Sequence, residues 1–436
     1  MKNKNFITLG FVSTVVSMGL LFSSTLLAES SVKEAQASRL EALAKFTKVI
    51  SIVEQYNVDE VTIEELMDKA LDGMMKNLDA HSNFLTEEDY KRLTVQTKGE
   101  FGGLGITVGM KDGALTVISP IDGTPADKAG LKAGDIILKI NDESTLNMTI
   151  DEAVAIMRGE IGDPIDITIV RKGEMKPLPI HIVRGNITIE SVHARTIGDN
   201  ILYIRVASFD QKVAEDVSVA INKHKLTTKG IVLDLRNNPG GLLDQAVELV
   251  DIFVDKGKIV SQRGRKEVET KTFTATLGAT LTKVPLVVLI NGGSASASEI
   301  VSGALQDHNR AVLVGENTFG KGSVQVVLPI TKKEAIKLTI ARYYLPSGRT
   351  IQAVGVKPDI IVAPGELKTF KNDFSIKEAD LKQHLEEELK KVDGKKEETK
   401  EDTKEKKDII TPEMLNKDIQ LKEAVDIIKA LVIIKG

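Results

Sequence analysis

The stretch Gly230-Ile231-Val232-Leu233-Asp234-Leu235, followed at once by Arg236-Asn237-Asn238-Pro239-Gly240-Gly241, decides how this chain folds. Its nearly unbroken apolar run predicts a strand buried on both faces. Pro239 and the paired glycines then make a tight turn, and Leu242 to Phe253 carries helical spacing. The same unit recurs downstream: a strand from Pro285 to Ile290, a turn at Asn291-Gly292-Gly293, a helix from about Ser296 to Gln306. Ala311 to Gly315 reads as a third strand. Repeated strand–turn–helix units imply an α/β fold with largely parallel strands, whose carboxyl ends face one crevice. Both glycine turns therefore belong on the functional side.

Upstream, over residues 98–184, the period shifts towards two with glycine punctuation. Gly102-Gly103-Leu104-Gly105-Ile106 is a glycine loop running into an alternating strand, and Ala129-Gly130-Leu131-Lys132-Ala133-Gly134-Asp135 leads into another. A helix from Ile150 to Met157 ends at Arg158-Gly159. The loop lacks GxGxxG spacing, so a dinucleotide site is not supported. Exposed amides beside a free strand edge instead suit capture of a peptide C-terminus as an added strand. Residues 29–97 are helical in pattern, with Leu40, Leu43, Phe46, Val49, Ile50 and Val53 forming one apolar stripe. His81, alone beside a turn, reads as structural.

The ends differ from the body. Lys2 and Lys4 precede an apolar run from Phe6 to Leu27, closing at Ala28. This is the layout of a signal peptide or uncleaved anchor, which makes the chain exported, periplasmic or in the cell envelope, with membrane contact through this segment only. In residues 364–436, 18 of the 23 residues from Glu386 to Asp408 are charged, a composition that cannot bury a core. Beyond Pro412, an amphipathic pattern through Leu421, Val425 and Ile428 predicts a helix docked on the body or on a second subunit.

Composition narrows the chemistry. The 436 residues include no Cys and six His, with 58 Lys+Arg against 62 Asp+Glu. Disulfides, thiolate metal sites and a Cys nucleophile are excluded, and a net charge of −4 argues against a nucleic-acid partner. Gly315-Glu316-Asn317-Thr318-Phe319-Gly320-Lys321-Gly322 resembles a phosphate loop, but Gly322 stands where Ser or Thr must bind Mg²⁺, and a strand pattern follows instead of a helix. In Ser294-Ala295-Ser296-Ala297-Ser298-Glu299 one serine suits a helix cap. Ser296, flanked by small residues, is open enough to act as a nucleophile, with first-turn amides to hold an oxyanion. Lys321 is the candidate base. An exposed lysine has a pKa of about 10.4, so burial must lower it by about 3 pH units, about 4 kcal/mol. A crevice lined by Phe319 and Gly320 is the expected cause. Gln325, on the same strand face as residues 321 and 323, is placed to orient the amine without adding charge.

These segments together resemble the carboxy-terminal processing, or tail-specific, proteases: Ser–Lys peptidases with a crotonase-like α/β core (185–363 here), an inserted PDZ domain (98–184), and helical N- and C-terminal regions. The resemblance spans about Leu40 to Ala363, and Ala80 replaces a more usual Pro away from the catalytic positions. It implies Ser296 as nucleophile, Lys321 as base, Gln325 as orienting amide, and the amides of Ala297 and of Gly240 or Gly241 as oxyanion donors. Gly102, Gly103, Leu104, Gly105 and Ile106 correspond to the carboxylate-binding loop, and Arg158 to an arginine linking peptide binding to activation. Glu299, Asp307 and Thr318 match supporting positions. The implied function is endoproteolysis of protein or peptide substrates with free apolar C-termini, by a homo-oligomer needing no cofactor or metal. The rival reading is a catalytically silent PDZ scaffold, which the presence of Ser296, Lys321 and Gln325 at the family spacing opposes.

Overall fold

The Gly230–Asp234 strand lies at the centre of a seven-stranded sheet in the computed structural model, which describes residues 36–111, 113–198, 200–266, 270–367 and 409–435. The order across the sheet is Ile360–Ile361, Val312–Gly315, Leu286–Ile290, Gly230–Asp234, Ile201–Val206, Val192–Ile197 and Ile409–Ile410. All neighbours are parallel except the hairpin of Val192–Ile197 with Ile201–Val206. The segment 1–28 and the charged run Glu386–Asp408 lie outside the described residues.

Continuous apolar strands are explained by cover on both faces. Successive side chains alternate, so Ile231 and Leu233 join a core with the helices Val213–Lys223, Leu243–Asp251 and Ala297–Asp307. Val232 faces the other way, with Leu421, Ala424, Val425 and Ile428 of the Ile419–Lys435 helix. The C-terminal helix thus docks on its own body. Burial of Leu421, Val425 and Ile428 contributes about 5–9 kcal/mol as an upper bound. A Cβ on Gly230, which opens the central strand, would sit 2.2 Å from Ile428 Cγ2. Arg236, just past the strand's other end, bonds Asp418. The helix therefore runs antiparallel to the strand, with its N-terminus beside the glycine turns. An antiparallel sheet that includes Lys258–Gly264, Lys271–Thr274, Ser323–Pro329 and Ala335–Tyr344 completes the core.

The region read as a PDZ domain is a six-stranded antiparallel sheet around buried Leu115, Val117, Ile137, Ile140, Ile165, Ile167 and Ile169. Ile106–Lys111 is an edge strand of this sheet, paired among the described residues with Ala114–Pro120 alone. The Ile150–Met157 helix begins at a capping box, Thr149 with Glu152. The chain enters through Glu100–Gly103 and leaves through Gly185–Thr188, and these segments pair as a two-stranded ribbon with Gly103 opposite Gly185.

The chain divides into two compact units, Met1–Phe84 and Leu85–Gly436. The first contains a helix over 36–56 and another at Ile63–Lys76, the latter capped by Thr62 and Glu65. In the first helix Leu40, Leu43, Phe46 and Val49 are exposed. His81 sits in a turn organised by Asp79, whose Oδ1 accepts the His81 and Ser82 amides at 2.8 and 2.9 Å. The Glu87–Lys98 helix, which ends one residue past the helical region 29–97, belongs to the larger unit.

Candidate active site

The two glycine turns are stitched to each other by two of the three serines. Ser294 Oγ donates to Leu235 O (2.8 Å) and Ser298 Oγ to Asn238 O (2.9 Å), and both side chains are fully buried. Asn291 and Asn237 exchange side-chain and backbone hydrogen bonds at 2.8 and 2.9 Å. Ser296 stands apart: it is half-buried and, where Ser294 and Ser298 bond the facing turn, it caps the Ala297–Asp307 helix in a capping box with Glu299. Its backbone has φ 54° and ψ −111°. A non-glycine residue there stores about 1–3 kcal/mol, and such strain persists only where neighbours over-determine it.

Glu299 is one of those neighbours. Its buried carboxylate accepts Ser296 N at 2.8 Å and Lys321 N at 2.9 Å on Oε2. Oε1 accepts Gly320 N at 2.7 Å and Thr318 Oγ1 at 2.6 Å. One carboxylate thus fastens the backbone of the serine to that of the lysine. The place of Glu299 three residues after Ser296, where a helix N-terminus favours an acid, is the signal the sequence carries for this support.

The first amide of the Ala297–Asp307 helix lies against the other turn. A Cβ on Gly240 would fall 2.8 Å from Ser296 Cβ and 3.0 Å from Ala297 N, so only glycine permits this approach. The Gly240 amide already donates to Asn238 Oδ1 at 2.9 Å. The amides of Gly241 and Ala297 make no hydrogen bond among the described residues.

Lys321 is half-buried, and its pKa is lowered, first by desolvation and then by the like charge of Lys337, against an opposing pull from Glu299. One expectation needs correction. Phe319 is 63% exposed, so its ring does not bury the lysine. Gln325 does share a strand face with Ser323, but its amide nitrogen donates to Ser323 Oγ (2.8 Å) and Thr339 Oγ1 (3.3 Å), and it makes no hydrogen bond to Lys321 among the described residues. Lys337 and Thr339 were missed because they lie on the partner strand, where a lone lysine reads as a solvated face.

In the PDZ region, Gly102 and Gly103 are strand residues, leaving Leu104 and Gly105 as the turn into Ile106. Gly102 is pressed against the end of the Ile150–Met157 helix: its carbonyl accepts Gly159 N at 3.2 Å, and a Cβ would lie 2.1 Å from Gly159 O. Arg158 is exposed and stacks over the Phe101 ring, 4.5 Å from its centroid, beside this loop. Arg184 closes the same helix end by donating to Ile156 O (2.9 Å) and Met157 O (3.1 Å).

The Peptidase family S41 model matches residues 200–362, and a PDZ domain model matches residues 116–171. The chain is 45% identical over 375 residues to a carboxy-terminal-processing protease of Bartonella bacilliformis, covering 84% of this chain and 86% of that one. It is 36% identical to the carboxy-terminal processing protease CtpA of Bacillus subtilis, covering 73% and 69%. A solved photosystem II D1 C-terminal processing protease aligns at 27% identity with a TM-score of 0.43, over 71% of this chain and 85% of that one. A PDZ domain set into an S41 α/β core, with these relatives across most of its length, makes the chain a member of the carboxy-terminal processing proteases, a family of serine peptidases.

Proposed function

We propose that the chain is an exported endopeptidase that captures substrate C-termini in its PDZ groove and cleaves them upstream by a Ser296–Lys321 mechanism. The observation that carries this reading is the strained Ser296, held by the same carboxylate that holds the Lys321 backbone. Neutral Lys321 takes the Ser296 proton as Oγ attacks a peptide carbonyl. The oxyanion rests on the Ala297 amide and on that of Gly241, since the Gly240 amide is engaged by Asn238. Lys321 returns that proton to the leaving amine as the tetrahedral species collapses to an acyl-enzyme; neutral again, it deprotonates the water that hydrolyses the ester and passes the proton back to Ser296 Oγ. Gln325 acts one step away, fixing Ser323 and Thr339 beside the lysine.

The free edge of Ile106–Lys111 supports addition of the substrate tail as a further strand, with its carboxylate at Leu104-Gly105-Ile106 and Arg158 nearby. Residues 1–28 would direct export to the cell envelope. The test uses a loosely folded substrate with an apolar tail. Ser296→Ala and Lys321→Ala should each abolish cleavage, and amidating the tail should raise KM. Cleavage by Ser296→Ala at the wild-type rate refutes the mechanism, and an unchanged KM for the amide refutes carboxylate capture. A reporter active only outside the cytoplasm, fused after residue 28, tests export.

A further inference from the structure

We propose that Asp418 is a positioning residue for the catalytic turn, which makes the docked C-terminal helix a working part of the protease. This rests on the reading of the Gly240-Gly241 turn as an oxyanion site. Asp418 immediately precedes the Ile419–Lys435 helix and accepts the Leu421 amide at 3.0 Å. Its carboxylate also meets the Arg236 guanidinium along one edge: Nη1 donates to Oδ1 at 2.9 Å and Nη2 to Oδ2 at 2.7 Å. The other edge of Arg236 is held by Asp234, with Nε at 3.0 Å and Nη2 at 2.7 Å. Gln420 Oε1 takes the remaining Nη1 proton at 3.0 Å. All five N–H donors of the guanidinium therefore have partners.

Arg236 opens the turn that carries Asn238, Gly240 and Gly241. Asp234 belongs to the central strand and is wholly buried, so it fixes only the inner edge of the arginine. The outer edge is placed by Asp418 and Gln420, 182 and 184 residues further along the chain. The same Gln420 donates to Val362 O at 2.7 Å, and Val362 N donates to Gly315 O at 3.0 Å, at the start of the loop that bears Lys321. The helix N-terminus thus grips both halves of the site. A helix docked for stability alone needs its apolar contacts, which Leu421, Ala424, Val425 and Ile428 supply. A partly buried bidentate ion pair such as Arg236–Asp418 adds little net stability and much geometric definition. Burial would raise the Asp418 pKa, but Arg236 and the Leu421 amide outweigh it and hold the carboxyl below its ordinary range.

Asp418→Asn in the full chain keeps the side-chain shape and leaves Arg236 one acceptor in place of two. On a tailed substrate, kcat and the single-turnover cleavage rate should fall about tenfold or more, since misplacing an oxyanion donor weakens transition-state stabilisation. KM and the Kd for a tail peptide should stay within about twofold, because the PDZ groove is untouched. Val425→Ala loosens the same helix from the sheet without touching Arg236, and should lower Tm while leaving kcat in place. Asp418→Asn with unchanged kcat overturns the proposal, as does an equal loss of kcat in both variants at equal loss of Tm. Ser296→Ala is measured alongside: if it still cleaves, the oxyanion reading itself fails, whatever the Asp418 variant does.

Discussion

Replacing Glu299 by Gln tests whether one carboxylate holds the two halves of the site together. All four of its neighbours are donors: Ser296 N at 2.8 Å, Lys321 N at 2.9 Å, Gly320 N at 2.7 Å and Thr318 Oγ1 at 2.6 Å. A glutamine keeps one oxygen and turns the other into a donor. The cheaper orientation puts the new NH₂ group at Oε1. There Thr318 can rotate its hydroxyl hydrogen away, and only the Gly320 amide is orphaned. One buried unpartnered donor costs about 1–3 kcal/mol. The Ser296 and Lys321 bonds persist but lose their charge assistance, about 1 kcal/mol each. The expected destabilisation is about 3–5 kcal/mol, measured by urea unfolding of wild type and variant. Cleavage should fall by more than the unfolded fraction accounts for, because the lost definition lies on the Ser296 and Lys321 backbones. A variant with wild-type unfolding and kcat within about twofold of normal would refute the reasoning.

Lys337→Met removes a like charge that helps keep the Lys321 pKa low. The lysine pKa should rise and the acidic limb of the kcat/KM–pH profile move to higher pH; a limb that stays in place or moves lower contradicts this. Ser296→Gly should abolish hydrolysis yet stabilise the fold by about 1 kcal/mol in denaturant melts, since glycine relieves the φ of 54°. Equal or lower stability would mean that the serine backbone carries no strain. Gly240→Ala places a methyl 2.7 Å from Ala295 O and 2.8 Å from Ser296 Cβ. It should cost about 10² or more in kcat with tail-peptide Kd unchanged, measured by steady-state kinetics and peptide titration; retained kcat would remove this turn from the site.

What the sequence made legible was local. The apolar run at Gly230–Asp234 and the glycine turns are short-range signals, and they predict parallel strands with both turns at one edge. Singling out Ser296 from its neighbours rested on the small residues around it; the structure adds that Ser294 and Ser298 are engaged with the facing turn. What stayed hidden depends on register and on distance along the chain. The pairing of Gln325 with Thr339 follows a register shift between Val324 and Gln325, which no composition announces. Lys337 looks like any strand lysine in the sequence; only its charge, felt at Lys321, sets it apart. Asp418 lies beyond a charged run that reads as a solvated linker, so its bond to Arg236 has no trace in local pattern. The error over Phe319 has a similar origin: an aromatic between glycines suggests a lining residue, yet its backbone serves the site by donating to Ser294 O at 3.0 Å while the ring points outward.

The ribbon of Glu100–Gly103 with Gly185–Thr188 brings the entry and exit of the PDZ region to one residue pair, Gly103 opposite Gly185. A module whose two ends meet in this way can be exchanged as a cassette, because the surrounding chain registers only the short gap between them. If the PDZ region reads substrate tails as proposed, substrate choice and bond cleavage are then separately heritable. A different tail reader spliced at that pair would re-address the protease without altering a single strand of the sheet that carries Ser296.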